Sequence, residues 1–248
     1  MLRSRELDHR AAERARSPAT AVARPPAPVA AHVLALQRAA GNRATARAIA
    51  LMRTPKEISA ERQDLPHSWT ARFSAELSTT ELTLTIRVKI EPERDVTEAQ
   101  ENAVKKQTIA AFKRIWDSKF LVSEDGGKTE RLVRAKVEFV NKKQHVSIQL
   151  RQGAKEDNRR IWFVSSPAIT RAHELGHQLG LSDEKIDPGF ENRKTAKSPG
   201  VFQDNSIMGD YPKEGVDKAT AKLRHGQSIM AEVGKAFGKS FTVRMNVP

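Results

Sequence analysis

Residues 82 to 90 alternate without a break: Leu82, Leu84, Ile86, Val88 and Ile90 fall on one face of an extended chain, and Thr83, Thr85, Arg87 and Lys89 on the other. A period of two is incompatible with a helix, so the run predicts a strand with one buried face, and a buried face needs a second layer to cover it. The chain supplies that layer next. Thr97 and Gln100 have the spacing of a capping box, and Val104, Thr108, Ala111, Phe112, Ile115 and Trp116 then recur at intervals of three and four, which predicts a long amphipathic helix lying on the sheet.

Further strands are expected on either side. Trp69, Ala71, Phe73, Ala75 and Leu77 alternate ahead of a turn at Ser78 to Thr80. After the turn residues Asp125, Gly126 and Gly127, the sets Val133, Ala135, Val137, Phe139 and Val146, Ile148, Leu150 alternate again, and the apolar run Ile161 to Val164 adds a short strand. Ser166-Pro167 reads as a helix start with Ser as N-cap, and Gly180 as the stop of a helix of about thirteen residues. A last helix is expected over Thr220 to Gly238, and a short strand or tail over Phe241 to Val247. The class is α+β.

Residues 1–66 differ in kind from residues 67–248. They are rich in arginine and alanine, carry no lysine before Lys56 and have few large apolar side chains, which predicts a mostly unpacked leader ahead of one folded domain. Within the leader, Val33, Leu34, Leu36, Ile49 and Leu51 flank the string LQRAAGNRATARAI, which suits one or two short helices broken near Gly41-Asn42. The leader lacks the apolar core of a secretory signal, and no run is long enough to span a bilayer, so synthesis in the cytoplasm without secretory export is expected. The formal charge of +13 speaks to solubility and attraction to anions, and not to fold. With no cysteine in the 248 residues, disulfides, thiolate zinc knuckles and cysteine nucleophiles are excluded, and any metal must sit on His, Asp or Glu.

The string RAHELGHQLGLSDE carries the chemistry. His173 and His177 stand four apart on an expected helix, so both imidazoles project from one face, one turn apart, within reach of a single ion. Imidazole favours zinc over magnesium or calcium. Glu174, about 100° around the helix from His173, is placed to take a proton from water made acidic by the metal. Gly180 can leave the helix in a left-handed conformation and turn the chain back, which makes Asp183 the expected third ligand; Glu184 and Asp187 are alternatives at neighbouring positions. The plain alternative is a pair of ordinary surface histidines. His225 reads as exposed or capping, and His9, His32, His67 and His145 have no partners at useful spacing.

In HELGHQLGLSD the sequence resembles the metzincin metallopeptidases, in the branch whose zinc motif ends in Asp, as in snapalysin. The resemblance implies a twisted, mostly parallel sheet with an antiparallel edge strand, a long backing helix, an active-site helix and a C-terminal helix. It implies zinc held by His173, His177 and Asp183, with Glu174 catalytic, in an endopeptidase acting on a protein or peptide substrate. Ser206-Ile207-Met208-Gly209 resembles the family's methionine turn; Tyr211 follows the methionine at three residues, where the family's oxyanion-stabilising tyrosine stands at two. By the same likeness Arg160 to Ser165 would align substrate by main-chain pairing, and Lys185 to Tyr211 would wall a specificity pocket. LQRAAGNRATARAI is similar to leaders of cargo toxins of extracellular contractile injection systems, which implies an effector carried into target cells by an injection particle through residues 1–66. Two other classes remain open: a basic protein binding nucleic acid or an anionic surface with a structural zinc, where activity at high salt would argue against nucleic acid, and a zinc amidase acting on a cell-wall bond.

Overall fold

The computed structural model of the protein describes residue 41 and residues 54–64, 67–124 and 128–247. The LQRAAGNRATARAI string, with the helices expected there, lies outside these residues except for Gly41.

The alternating run forms β3 (Glu81–Pro92), with Leu82, Ile86 and Val88 fully buried on its inner face. The preceding alternation forms β2 (His67–Leu77), antiparallel to β3, and Ser78 closes the turn by accepting at Oγ from Glu81 N–H (2.9 Å). α1 (Glu98–Trp116) starts at the expected capping box, Thr97 with Gln100, and buries Val104, Thr108, Phe112, Ile115 and Trp116. Each large side chain so buried contributes about 2–3 kcal/mol of transfer free energy. β4 (Phe120–Ser123), β5 (Arg131–Phe139), β6 (Val146–Arg151) and β7 (Ile161–Phe163) follow, then α2 (Ala168–Gln178), the short α3 (Tyr211–Glu214), α4 (Leu223–Phe237) and β8 (Thr242–Met245).

One mixed sheet of eight strands results, and it forks at β3. The carbonyl of Val88 accepts from Val140, beyond β5, whereas that of Arg87 accepts from His145, just before β6. Successive carbonyls along a strand point to opposite edges, so β5 and β6 lie on opposite sides of β3. β2 pairs with β3 only over Leu82 to Thr85, then curls away with β1, and β6 takes the edge it vacates, followed by β7.

The sheet is mostly antiparallel, which corrects the mostly parallel sheet with one antiparallel edge strand expected from the resemblance. β1–β2, β2–β3, β4–β5 and β4–β8 are antiparallel; only β3–β5, β3–β6 and β6–β7 are parallel. The short turn after Leu77 forces a hairpin, and the C-terminal strand closes against β4.

The domain boundary also moves. β1 (Lys56–Asp64) falls inside the segment assigned to the leader, yet it pairs with β2 along its whole length and buries Ile58 and Ala60. Its inward residues are few and small amid Glu, Arg and Gln, so composition hides the alternation. Asp64 forms a buried ion pair with Arg193 (2.9 Å). The start of α2 differs in detail: Pro167 is the N-cap, and the Ser166 hydroxyl donates instead to the Lys155 carbonyl (2.8 Å). Among the described residues no helix is long and apolar enough to cross a membrane.

Candidate metal centre

α2 presents His173 and His177 from one face, with ring centroids 4.9 Å apart and planes nearly perpendicular. Each ring is fixed through Nδ1, which lies 2.8 Å from the Ile207 carbonyl in His173 and 2.7 Å from the Leu181 carbonyl in His177. A carbonyl can only accept, so both rings carry their proton on Nδ1 and turn the lone pair of Nε2 toward the site. This outer hydrogen bonding is the arrangement by which proteins orient imidazole ligands.

Asp183 reaches the same point because of how α2 ends. Gly180 has φ +90°, its N–H donates to the His177 carbonyl (3.1 Å), and Leu181 N–H donates back to the Gly176 carbonyl (3.2 Å), the pattern of a Schellman turn. That φ is what calls for glycine; a Cβ there would also stand 2.8 Å from the Arg62 guanidinium of β1, the flexible end of a side chain that could move aside. The chain then runs back over the helix, and Glu184 N–H donates to the Met208 carbonyl (2.7 Å). Asp183 Oδ1 ends 3.1 Å from His173 Nε2 and 3.7 Å from His177 Nε2.

His173, His177 and Asp183 are the one group of three metal-ligating side chains among the described residues, with ligand atoms all within 4.8 Å of one another. Asp183 Oδ1 is buried and has no hydrogen-bond partner. Two imidazole lone pairs and an ionised oxygen facing each other at this range repel unless a cation lies between them. The donor set therefore fits a divalent ion. Burial works to lower the pKa of His173, but Asp183 and Glu174 outweigh it and raise it. Burial and the charge on His173 push His177 down to about 4, while the two histidines hold Asp183 well below the usual carboxylate range despite its burial.

Glu174 stands beside this group with Oε1 3.9 Å from His173 Nε2, and burial raises its carboxyl to about 7 even though His173 and Arg159 pull it down. A carboxylate with that value can take and return a proton near neutral pH. Tyr211 packs its ring 5.8 Å from that of His173, but its hydroxyl donates to Thr170 (3.4 Å).

Met208, Trp69 and Trp116, each noted in the sequence for other reasons, hold the helix that carries the site. Met208 is fully buried under α2, and a Cβ on Gly176 would lie 2.6 Å from its sulfur and 3.0 Å from Trp116. The glycine in HELGH thus makes room for Met208, and the turn that carries Met208 supplies the Ile207 carbonyl that orients His173. Two indoles hold the backbone of α2: Trp116 Nε1 donates to the Ala172 carbonyl and Trp69 Nε1 to that of His177, both at 3.0 Å. The His177 carbonyl, in the last turn, calls for such a donor, whereas that of Ala172 lies within the helix; no local spacing reveals which tryptophan answers.

The alternative ligands are turned elsewhere. Glu184 accepts two bonds from Arg224 (2.6 and 2.7 Å), one from His225 (3.2 Å) and one from Ser206. Burial would raise its carboxyl, but these partners bring it down to about 2. His225 is buried and also caps α4, accepting at Nδ1 from Lys222 N–H (3.1 Å). Asp187 accepts from Gly189 N–H (3.0 Å) within its own turn. His145 is bound to Arg87 N–H and Glu57, and His67 packs on Phe190, while His9 and His32 lie outside the described residues.

Compared with known proteins, the chain matches no family model, no curated protein and no solved structure.

Proposed function

We propose that this protein is a zinc-dependent endopeptidase in which His173, His177 and Asp183 hold the ion and Glu174 is the general base. The observation that carries the reading is the convergence of two Nε2 atoms with the buried Oδ1 of Asp183, beside the buried carboxyl of Glu174. Zinc bound there would supply a Lewis acid, which makes water acidic near neutral pH and polarises a carbonyl. Glu174 accepts the proton of the attacking water and passes it to the departing amine. The outer edge of β7 is already bonded within the chain, with Asn158 Oδ1 accepting from Ile161 N–H and Asp157 Oδ1 from Phe163 N–H, so main-chain pairing of substrate along Arg160 to Ser165 is not part of this reading. The likeness of HELGHQLGLSD to the metzincin motif supports the same chemistry. By the likeness of its leader, the enzyme would be an effector loaded into an injection particle.

The test is to measure zinc content and peptide hydrolysis together in the wild type and in Glu174→Gln. One zinc per chain is expected in both, with the rate lowered by about 10²–10⁴-fold in the variant. Loss of zinc with activity, or substantial residual activity, would overturn the assigned role. Hydrolysis of muropeptides in place of peptides would move the reading to a cell-wall amidase.

A further inference from the structure

A groove of about 500 Å³ opens beside the metal centre, between β2, the start of β6, the segment entering β7 and the C-terminal end of α2. Its charged lining is lopsided: Arg72, Arg159 and Arg160 face a single carboxylate, Glu61. Glu61 accepts from Thr70 Oγ1 (2.8 Å), and none of the three arginines is ion-paired among the described residues. Most arginines of the domain are paired, Arg87 with Glu57, Arg131 with Glu124 and Arg224 with Glu184 among them. The fourth basic candidate, His145, has its pKa lowered by burial and is already bonded to Arg87 N–H and Glu57.

Trp69 stands between the groove and the centre. The Arg159 guanidinium lies over the Trp69 ring, 4.6 Å from its centroid, and the same ring meets that of His177 edge-on at 5.8 Å. A guanidinium set over an aromatic face has lost much of its rotamer freedom, while its in-plane N–H groups stay open to a planar acceptor. Gln178, next to His177, forms part of the wall.

We propose that this groove selects polypeptide substrates carrying Asp or Glu side chains close to the cleaved bond, held by Arg159 over Trp69 and by Arg160 and Arg72 at the rim. The inference rests on the peptidase reading for the position of the bond, and on the groove alone for the selection. Unpaired, partly ordered guanidiniums bind a carboxylate bidentately without first breaking an ion pair. A basic substrate would place like charges together in a half-enclosed space, where solvent screens them poorly.

Binding and cleavage are measured separately. The zinc-loaded Glu174→Gln protein is titrated with fluorescent peptides identical except that Asp and Glu are replaced by Asn and Gln, and binding is read by anisotropy. The acidic peptide is expected to bind at least about tenfold more tightly, the scale of one charge-assisted hydrogen bond. Arg159→Glu should abolish the preference and Arg160→Glu should reduce it; Arg160 is exposed, so its charge reversal decides the matter if Arg159→Glu does not fold. Equal binding of the two peptides, or a preference that survives both reversals, overturns the proposal. So does displacement of the acidic peptide by single-stranded DNA at concentrations below those of unlabelled peptide, which would make the groove a nucleic-acid site. The wild type is then assayed on the same pair. Acid-selective binding without cleavage would leave the groove standing and sink the peptidase reading, whereas cleavage without acid preference would do the reverse.

Discussion

The centre is held from two sides by different physics. His173, Glu174 and His177 ride on a helix packed into the apolar core, pinned by two indole N–H groups and seated on Met208. Asp183 rides on a loop held by charge: Glu184 with Arg224 and His225 on one flank, Arg62 over Gly180 and the buried Asp64–Arg193 pair on the other. Apolar packing is indifferent to pH and salt, while ion pairs respond to both. The difference implies that the two halves fail separately, with the loop losing its hold on Asp183 while the helix stays in place.

The largest effect should come from removing β1. Deletion of residues 1–53 is expected to leave thermal unfolding of the domain unchanged, whereas deletion of residues 1–66 also removes the partner of buried Arg193 and the whole of β1. Breaking that pair alone costs about 3–5 kcal/mol, so loss of cooperative unfolding is expected for the longer deletion. Equal melting of the two truncations would show that the first strand is dispensable.

Next in size is Glu184→Ala, which strands His225 and leaves Arg224 with Asp204 alone. It should cost about 2–4 kcal/mol in urea unfolding, since the pair is largely but not wholly buried. The pH dependence follows in sign. Glu184 has a depressed pKa, about 2 against an ordinary 4.5, so its stabilisation is present above about pH 4.5 and is lost as pH falls toward 2. The wild type should therefore lose more stability than the variant between these values; parallel curves would remove Glu184 as the acid-sensitive element.

A smaller effect on the helix side is expected for Gly176→Ala, whose methyl group meets the Met208 sulfur. Met can shift where a rigid neighbour could not, so about 1–3 kcal/mol is expected, without the acid dependence of the loop side. A cost that changes with pH over 3 to 6 would mean that the two halves are coupled.

The same division explains what could be read in the chain of residues. The helix half rests on local spacing: an i, i+4 histidine pair, a glycine stop, a capping box and strict alternation in β3, all of which act within a few residues. The loop half rests on partners such as Glu184 and Arg224, forty positions apart, or Asp64 and Arg193, farther still, and no local pattern announces them. β1 escaped because Ile58 and Ala60 are its only buried apolar side chains, and β4 because it is four residues long. Strand direction had no local signature beyond the turn at Ser78. Gly176 was visible in HELGH, but its reason, the sulfur of Met208, lies on a distant turn.

If the loop delivers Asp183, and not its neighbours, to the two histidines, zinc affinity should depend on Asp183 above all. Chelator competition in wild type, Asp183→Ala, Glu184→Ala and Asp187→Ala measures this. A loss of at least about a hundredfold is expected for Asp183→Ala, a smaller loss for Glu184→Ala through the loosened loop, and none for Asp187→Ala. Unchanged affinity in Asp183→Ala, or a greater loss at Glu184 or Asp187, would contradict it.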